Sequence, residues 1–596
     1  MWIIGSAAQV HTNQLSAESI RTQLSKILSS TTFARSGRLS RFLNFTVEQT
    51  IQGHGDHLKE FVIGIEVFDK GEAYDPRMDP IVRVEARRLR EKLKKYYQTE
   101  GREDPLNINF PTGTYVPVVE TREWTGPGDS GAVTEDAIAV LPFANLSSEP
   151  DNEYFSDGLT EELINALTKV EGLRVVAWSS AFQLKGKTRD IRKIAEQLKV
   201  RAVLEGSVRR TGDRLRITAQ LVSAGDGSYL WSETYERAIT DVFAVQDEIS
   251  ASIVEALRIK LTGRSLVKRY TENLHAYHLY LKGRFQWNKR TEEGFYKSLV
   301  FYEQAIRIDP NYAPAYSGMA DVYIMMGSHG VVRAIDVLAK AKAAALRALE
   351  IDPLLAEAHA SLGSIASEYE WDWHAAEHHF RRAIELTPSY PTAHHWYGYT
   401  YLAAMGRLDE ALAAMKQAHH LDPLSLIIRT CRGTLLDMKR EHERAREHYE
   451  KVFELDPAFV RAYLSAGRSY LHQDMFPEAI VMFEKARQLT PASPVPAALL
   501  AHAYNVAGNI REAARLRSQL AECAERCYVA PYLLARAHLN FDHDRAFEYL
   551  NQALEERDPR LALMNVSPVF DCLRRDSRFT VLVRRMGLHT SNGRHL

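Results

Sequence analysis

Long apolar runs are missing from this chain. Nowhere do its 596 residues hold the roughly 18–20 consecutive apolar side chains that cross a bilayer, so no membrane partner is expected. The opening MWIIGSAAQVHTNQ has neither a basic start nor a long apolar core; a secretory signal is not expected, and a cytoplasmic location is. Cysteine is scarce. Cys431, Cys523, Cys527 and Cys572 give no disulfide framework and fit a reducing compartment. Charge of one sign is also missing: the formal net charge is −1, so any polyanion-binding surface must be local. Phosphate-cradling loops of the G-x-x-x-x-G-K-[ST] or G-x-G-x-x-G kind do not occur. His374 and His378 have the i, i+4 spacing of metal ligands, with His379, His394 and His395 nearby, but no H-E-x-x-H frame completes a site. With no catalytic constellation, no enzyme, cofactor or metal centre is expected.

What is present divides into segments. At this length a chain holds about four domains. Residues 15–120 end at a Gly/Pro/Ser-rich linker, 121–133. Within the first segment, DPIVRVEARRLREKLKKYY (79–97) carries seven positive side chains against three negative. Asp79 suits an N-cap and Pro80 a first helical position. Val82, Ala86, Leu89, Leu93 and Tyr96 recur at three- and four-residue steps and form an apolar face. Arg83, Arg87, Arg90 and Lys94 repeat alongside as a cationic stripe, reinforced by Arg88, Lys92 and Lys95. Two helical patterns precede it, SGRLSRFLNFTVEQTI and LKEFVIGIEVF. After it, Leu106, Ile108 and Phe110 alternate, Pro-Thr-Gly-Thr turns the chain, and Tyr115-Val116 returns. A solvated amphipathic helix and a helix that lies on a polyanion both fit the charge pattern.

VRVEARRLREKL resembles the recognition-helix signature of winged-helix regulators of the response-regulator effector type, V-D-V-H-I-S-R-L-R-x-K-L. Val82, Val84, Arg88, Leu89, Arg90, Lys92 and Leu93 match it, while Arg83 stands where the pattern is acidic. INFPTGTYVPV is similar to that family's closing wing at Ile108, Gly113 and Tyr115. The resemblance implies a winged helix (α+β) that binds double-stranded DNA. Arg83, Arg87, Arg90 and Lys94 would face the major groove and its phosphates. Arg88 and Lys92 would assist on the backbone, and Thr112, Gly113 and Tyr115 would form the wing tip near the minor groove.

Residues 134–262 read as an α/β segment: a strand AIAVLPFANL, a helix FSDGLTEELINALTKV capped by Ser156 or Asp157, and strands at LRVVAWS and RAVLEGSVRR. A long hairpin turning at Gly225-Asp226-Gly227 and a closing helix follow. The phrases AVLPFANLSSEPDNEYFSDGLTEEL and VRAVLEGSVRRTGDRLRITAQLV resemble the TolB N-terminal domain, a resemblance that implies a non-enzymatic module.

From 275 to 590 the chain repeats. Prolines at 310, 353, 388, 423, 457 and 491 stand 43, 35, 35, 34 and 34 residues apart, the period of tetratricopeptide helix pairs. Ten residues after each proline stand Ala320, Gly363, Gly398, Gly433, Gly467 and Ala501, small enough for close helix packing. Residues 527–558 would form a degenerate capping pair. RFQWNKR and the repeat tryptophans Trp371, Trp373 and Trp396 are expected in the core. Such an all-α solenoid implies a protein or peptide in its concave groove.

The three segments in this order resemble bacterial transcriptional activators of the invasion-gene type, and imply a cytoplasmic DNA-binding regulator. A tetratricopeptide interaction scaffold without sequence-specific DNA binding is the alternative. Neither a receiver, a cyclase nor a kinase segment is legible.

Overall fold

The computed structural model describes residues 17–588, apart from 35, 72–73, 76–78, 99, 102–103, 105, 112–113, 122–136, 148–151, 169, 171, 187–189 and 258–269. The chain divides into two compact units between Ala132 and Val133.

The first unit is helical with one hairpin: α1 (Ala17–Ser29), α2 (Gly37–Ile51), α3 (Glu60–Phe68), α4 (Ile81–Gln98), β1 (Leu106–Asn109) and β2 (Val118–Thr121). The expectation of three helices is corrected to four. Ile20, Leu24 and Ile27 give α1 an apolar face at three- and four-residue spacing, and all three are buried. The stripe expected on α4 is also inward, with Val82, Ala86, Leu89, Leu93 and Tyr96 buried against Phe42, Leu43 and Ile63. One buried carboxylate ties the ends of the unit together. Asp104 accepts from Gln23 at 2.5 Å and Tyr96 at 2.6 Å, and from Lys26 at 3.3 Å. Burial opposes its charge, yet these three donors hold its pKa below the usual carboxylate range. The return strand begins at Val118, later than Tyr115-Val116, pairing Ile108 with Val119. Pro117 has no N–H for the ladder, so pairing starts beyond it.

In the second unit, β3 (Ala137–Val140) lies parallel to β5 (Arg174–Val175) and to β6 (Ala202–Thr211). Short β4 (Ala144–Asn145) also joins β6, and β7 (Arg214–Ser223) and β8 (Tyr229–Ala238) extend the sheet antiparallel. Gly227, at φ +75°, takes the left-handed position in the β7–β8 turn. Helices α5 (Glu153–Leu167), α6 (Trp178–Phe182), α7 (Ile191–Leu198) and α8 (Val242–Ala256) complete the segment. The cap of α5 is Asn152. Ser156 and Asp157, expected there, are buried inside the helix, which starts a turn earlier and so also buries Tyr154 and Phe155.

Helix pairs follow: α9 (Leu274–Asn288) with α10 (Glu292–Ile308), α11 (Ala313–Ser328) with α12 (Ala334–Ile351), and α13 (Ala356–Ser364) with α14 (Trp373–Leu386). Next come α15 (Pro391–Trp396) with α16 (Leu408–Leu421), α17 (Leu426–Met438) with α18 (His442–Leu455), and α19 (Val460–Leu471) with α20 (Phe476–Leu489). The array ends in α21 (Pro494–Val506) with α22 (Ile510–Ala524), α23 (Pro531–His538) with α24 (His543–Glu555), and α25 (Ser577–Arg585). The small residues sit where helices meet. A Cβ on Gly363 would lie 2.7 Å from the Phe380 ring, and one on Gly433 2.6 Å from Tyr449.

The array curls back on itself. The Arg557 guanidinium reaches the Tyr369 carbonyl at 3.4 Å and lies over the Trp371 ring, and Trp373 Nε1 donates to the Met586 carbonyl at 2.7 Å. The α/β segment closes against the same array. Ala177 N–H donates to the Leu421 carbonyl at 3.1 Å, and Ser179 and Ser180 both donate to the buried Asp422 carboxylate. Between segment and array lies a partly open cavity of about 1910 Å³, lined from the α/β segment by Glu161 and Trp178 and from the repeats by Arg290, Tyr399, Arg468 and Arg536. Within RFQWNKR, Phe285 and Trp287 pack against the core as expected, while Arg284, Trp287, Asn288, Lys289 and Arg290 line this cavity, with Arg290 stacked 3.4 Å over Trp287.

Four repeat histidines carry a pH prediction. Burial first, and neighbouring charges of Arg461, Arg429, Arg432 and Arg536 second, push His395, His419, His448 and His502 down to about 3. Each stays neutral in the fold but takes a proton once unfolded, so stability is complete above the ordinary value of 6.5 and falls as pH drops from there toward 3. Between pH 6.5 and 5 the 5 % exposed His502 alone should cost about 2 kcal/mol. Urea unfolding at those two pH values should show at least that loss in the wild type, where all four histidines add, and a loss smaller by about 2 kcal/mol in His502→Gln.

Candidate nucleic-acid interface

Helix α4 begins where its sequence directs it to. The Asp79 carboxylate accepts the Ile81 N–H at 3.2 Å and pairs with Lys70 at 2.8 Å, a hydrogen bond that holds its pKa below the usual range. From there the apolar stripe turns inward and the basic side chains divide into groups with different surroundings.

Arg87 and Arg88 stand out into solvent, with side chains 83 % and 65 % exposed. Their ion pairs are short-range and on the same helix: Arg87 with Glu91 at 3.4 Å, Arg88 with Glu85 at 2.8 Å. Exposed pairs of this kind hold weakly and yield readily to a stronger anion. Arg83 is half exposed and pairs at 3.3 Å with Glu60 on α3. Arg90 has another occupation. Its Nε donates to the Phe110 carbonyl at 2.8 Å, and Nη2 donates to the Pro111 and Thr114 carbonyls at 3.0 and 3.2 Å. A planar five-donor fork suits three carbonyls of one loop, and Arg90 thereby fixes the connection between β1 and β2 to α4. Lys92 donates to Ser36 Oγ and lies 5.7 Å from the Phe33 ring centroid. The Lys94 side chain, Thr112 and Gly113 lie outside the described residues.

Tyr115 is half-buried, and its hydroxyl donates to Glu60; burial first and that carboxylate second push its pKa up. Glu60 therefore joins α3, α4 and the hairpin loop through one side chain, a role that the sequence reading missed. Val84 was matched to the signature but not placed among the site residues, and at 44 % exposure it stands between the arginines. Its offset from the buried 82/86/89/93 stripe is the signal that would have placed it outward.

In the second unit, His359 and His379 meet through their Nδ1 atoms at 3.1 Å, and among the described residues no group of three or more His, Cys, Asp or Glu side chains is arranged to hold a metal ion. Among them, too, no helix is long and apolar enough to cross a membrane.

Residues 134–252 match the model of the HilA/YgeH-like transcriptional regulator second domain, and residues 372–425 and 432–494 match the tetratricopeptide repeat. The chain thus carries a HilA-like regulator domain and tetratricopeptide repeats. Over 286 residues it is 37% identical to a protein of Rhizobium meliloti (strain 1021) named "Putative adenylate cyclase 3", covering 46% of this chain and 41% of that one. It is 22% identical to the transcriptional regulator HilA of Salmonella typhimurium, covering 49% of this chain and 51% of the relative. The chain therefore spans about half, or less, of these relatives' lengths. The crystal structure of PilW, a type IV pilus biogenesis factor, is 19% identical over 36% of this chain and 94% of its own, with a TM-score of 0.31. One expectation is corrected by these likenesses. No enzyme is expected from the sequence, yet the Rhizobium relative is named as a putative adenylate cyclase, a pointer toward enzymatic chemistry.

Proposed function

We propose that the chain is a cytoplasmic transcriptional regulator that binds double-stranded DNA through α4, with its tetratricopeptide repeats holding a protein or peptide partner. The observation that carries this reading is the outward surface of α4. Arg83, Arg87 and Arg88 project there beside exposed Val84, while the helix's apolar stripe anchors it in the first unit. An α-helix fits the major groove, arginines pair with phosphates or guanine edges, and an exposed aliphatic group suits a thymine methyl. In this reading the first unit is a winged helix. Arg90 works within the protein, holding the wing loop, and Tyr115 with Glu60 orients that loop. The TolB-like α/β segment couples the DNA-binding unit to the repeats, and the HilA-like match over that segment supports a regulator.

A scaffold reading keeps one specific observation in its favour: each of the three exposed arginines already faces a glutamate. Selection of random duplexes on the full chain separates the two. A regulator enriches a motif and binds it with log K falling on log salt at a slope of about −3 to −4, as about four phosphate contacts require. A scaffold enriches none.

A further inference from the structure

Among the described residues of the second unit, Arg536 is the largest fully buried side chain, 1 % exposed, and it lines the cavity. Its Nε has no hydrogen-bond partner, its Nη2 lies 3.5 Å from His502 Nδ1, and among the described residues no carboxylate pairs with it. A buried cation without a counterion is a large energetic liability, usually removed by pairing. Other basic groups line the same cavity. Arg468 on α19 also lines the cavity, and its guanidinium donates to a neutral partner, Ser465 Oγ at 2.9 Å. Arg461 lies two turns back on the same helix and lines the cavity as well, where Cys431, Tyr399 and Glu368 already favour its charge. His472 donates from Nδ1 to Asp437 at 2.6 Å, leaving its Nε2 buried, unpartnered and at the cavity wall.

The nearby carboxylates are already occupied. Asp437 is shared between His472 and His442 Nδ1 at 2.5 Å. Glu368 accepts from Ser364 at 2.6 Å and is pushed up to about 7 by burial. The charge of Arg468 in turn adds to burial in lowering the pKa of Arg536, as unneutralised neighbours do. Carboxylates also line the cavity, but those nearest the cluster are committed to other partners, and Arg536 is left without a counterion of its own.

We infer that Arg536 and Arg468 form an anion-binding site that takes the carboxylate or phosphate group of a ligand held in the cavity. At about 1910 Å³ the cavity exceeds the roughly 300–1,000 Å³ of ordinary small-molecule sites, so the anionic group is one end of a longer ligand. Arginine forks match both anions bidentately, and the burial of Arg536 strengthens such bonds relative to water. The site is separate from α4, so failure of DNA binding would leave it standing and its own failure would leave the DNA reading standing.

The test follows the unfolding temperature of the full chain with inorganic phosphate, with succinate, and with chloride at matched ionic strength. One of the first two should raise the transition saturably by about 2 °C or more, as a ligand of the folded state does. Phosphate alone would indicate a phosphorylated ligand and succinate alone a carboxylate. Arg468→Gln and Arg536→Met should lose the rise while keeping the wild-type circular dichroism, and Arg536→Met should itself unfold at a higher temperature than wild type. Protection by neither anion overturns the proposal. So does equal protection of the variants, which is the general effect of excluded salts.

Discussion

Reversing Arg87 and Arg88 together to glutamate is expected to lower affinity of the full chain for its selected duplex by about 100-fold at 0.1 M salt. Both side chains are largely in solvent and bonded only to glutamates of their own helix, so the reversal breaks pairs worth at most about 1 kcal/mol each. The folded unit should survive, as its circular dichroism will show. What changes is the surface: two phosphate-neutralising charges disappear and two repelling ones take their place. Fluorescence anisotropy against salt should also give a slope shallower by about two, one for each lost contact. Arg90→Ala is the informative contrast. It removes three charge-assisted bonds to Phe110, Pro111 and Thr114, worth about 2 kcal/mol in stability, and weakens DNA binding through a loosened hairpin. Equal DNA binding by Arg87→Glu/Arg88→Glu and wild type would leave the interaction-scaffold reading in possession.

Gly433→Val should destabilise the repeat array by about 3 kcal/mol, measured by urea unfolding of the full chain. Replacing a mid-helix glycine ordinarily gains up to about 1 kcal/mol of helix propensity when alanine takes its place, so the sign depends on the space available. There is none. Even a Cβ at this position would lie 2.6 Å from the Tyr449 ring and 3.1 Å from the Ala445 carbonyl oxygen, and the second neighbour is backbone that cannot turn aside. Helix α18 must then move off α17, and Tyr449, only 1 % exposed, loses its seat between them. Pairing Gly433→Ala with Tyr449→Leu should recover part of the loss of Gly433→Ala alone, because a smaller side chain vacates the ring's place while the backbone contact persists. A Gly433→Val chain as stable as wild type would mean that the two helices are free to separate.

Much of the fold was legible because its causes are local. The buried stripe of α4, the Asp79 cap and the 34-residue spacing depend on helix geometry and on proline, which act over a few residues. Small residues recurring opposite Phe380 and Tyr449 told the same story in the repeats. Helix α1 was missed although its spacing was regular, because a short amphipathic stretch is ambiguous until something is known to cover it. The site was legible only in part. Arg83, Arg87, Arg88 and Arg90 look alike on a helical wheel, yet Arg90 is committed to carbonyls twenty or more residues away and Arg83 to Glu60 on another helix.

The sequence by itself determined which stretches become helices, which face of each turns inward, and that the repeats stack. Only the tertiary structure decided which arginines remain available and where RFQWNKR lies. It also decided that the array closes on a cavity holding an unpaired Arg536. The physical reason is range. Backbone preference and side-chain periodicity are properties of neighbouring residues, whereas a cation's partner and a solenoid's curvature arise from small rotations accumulated over eight helix pairs.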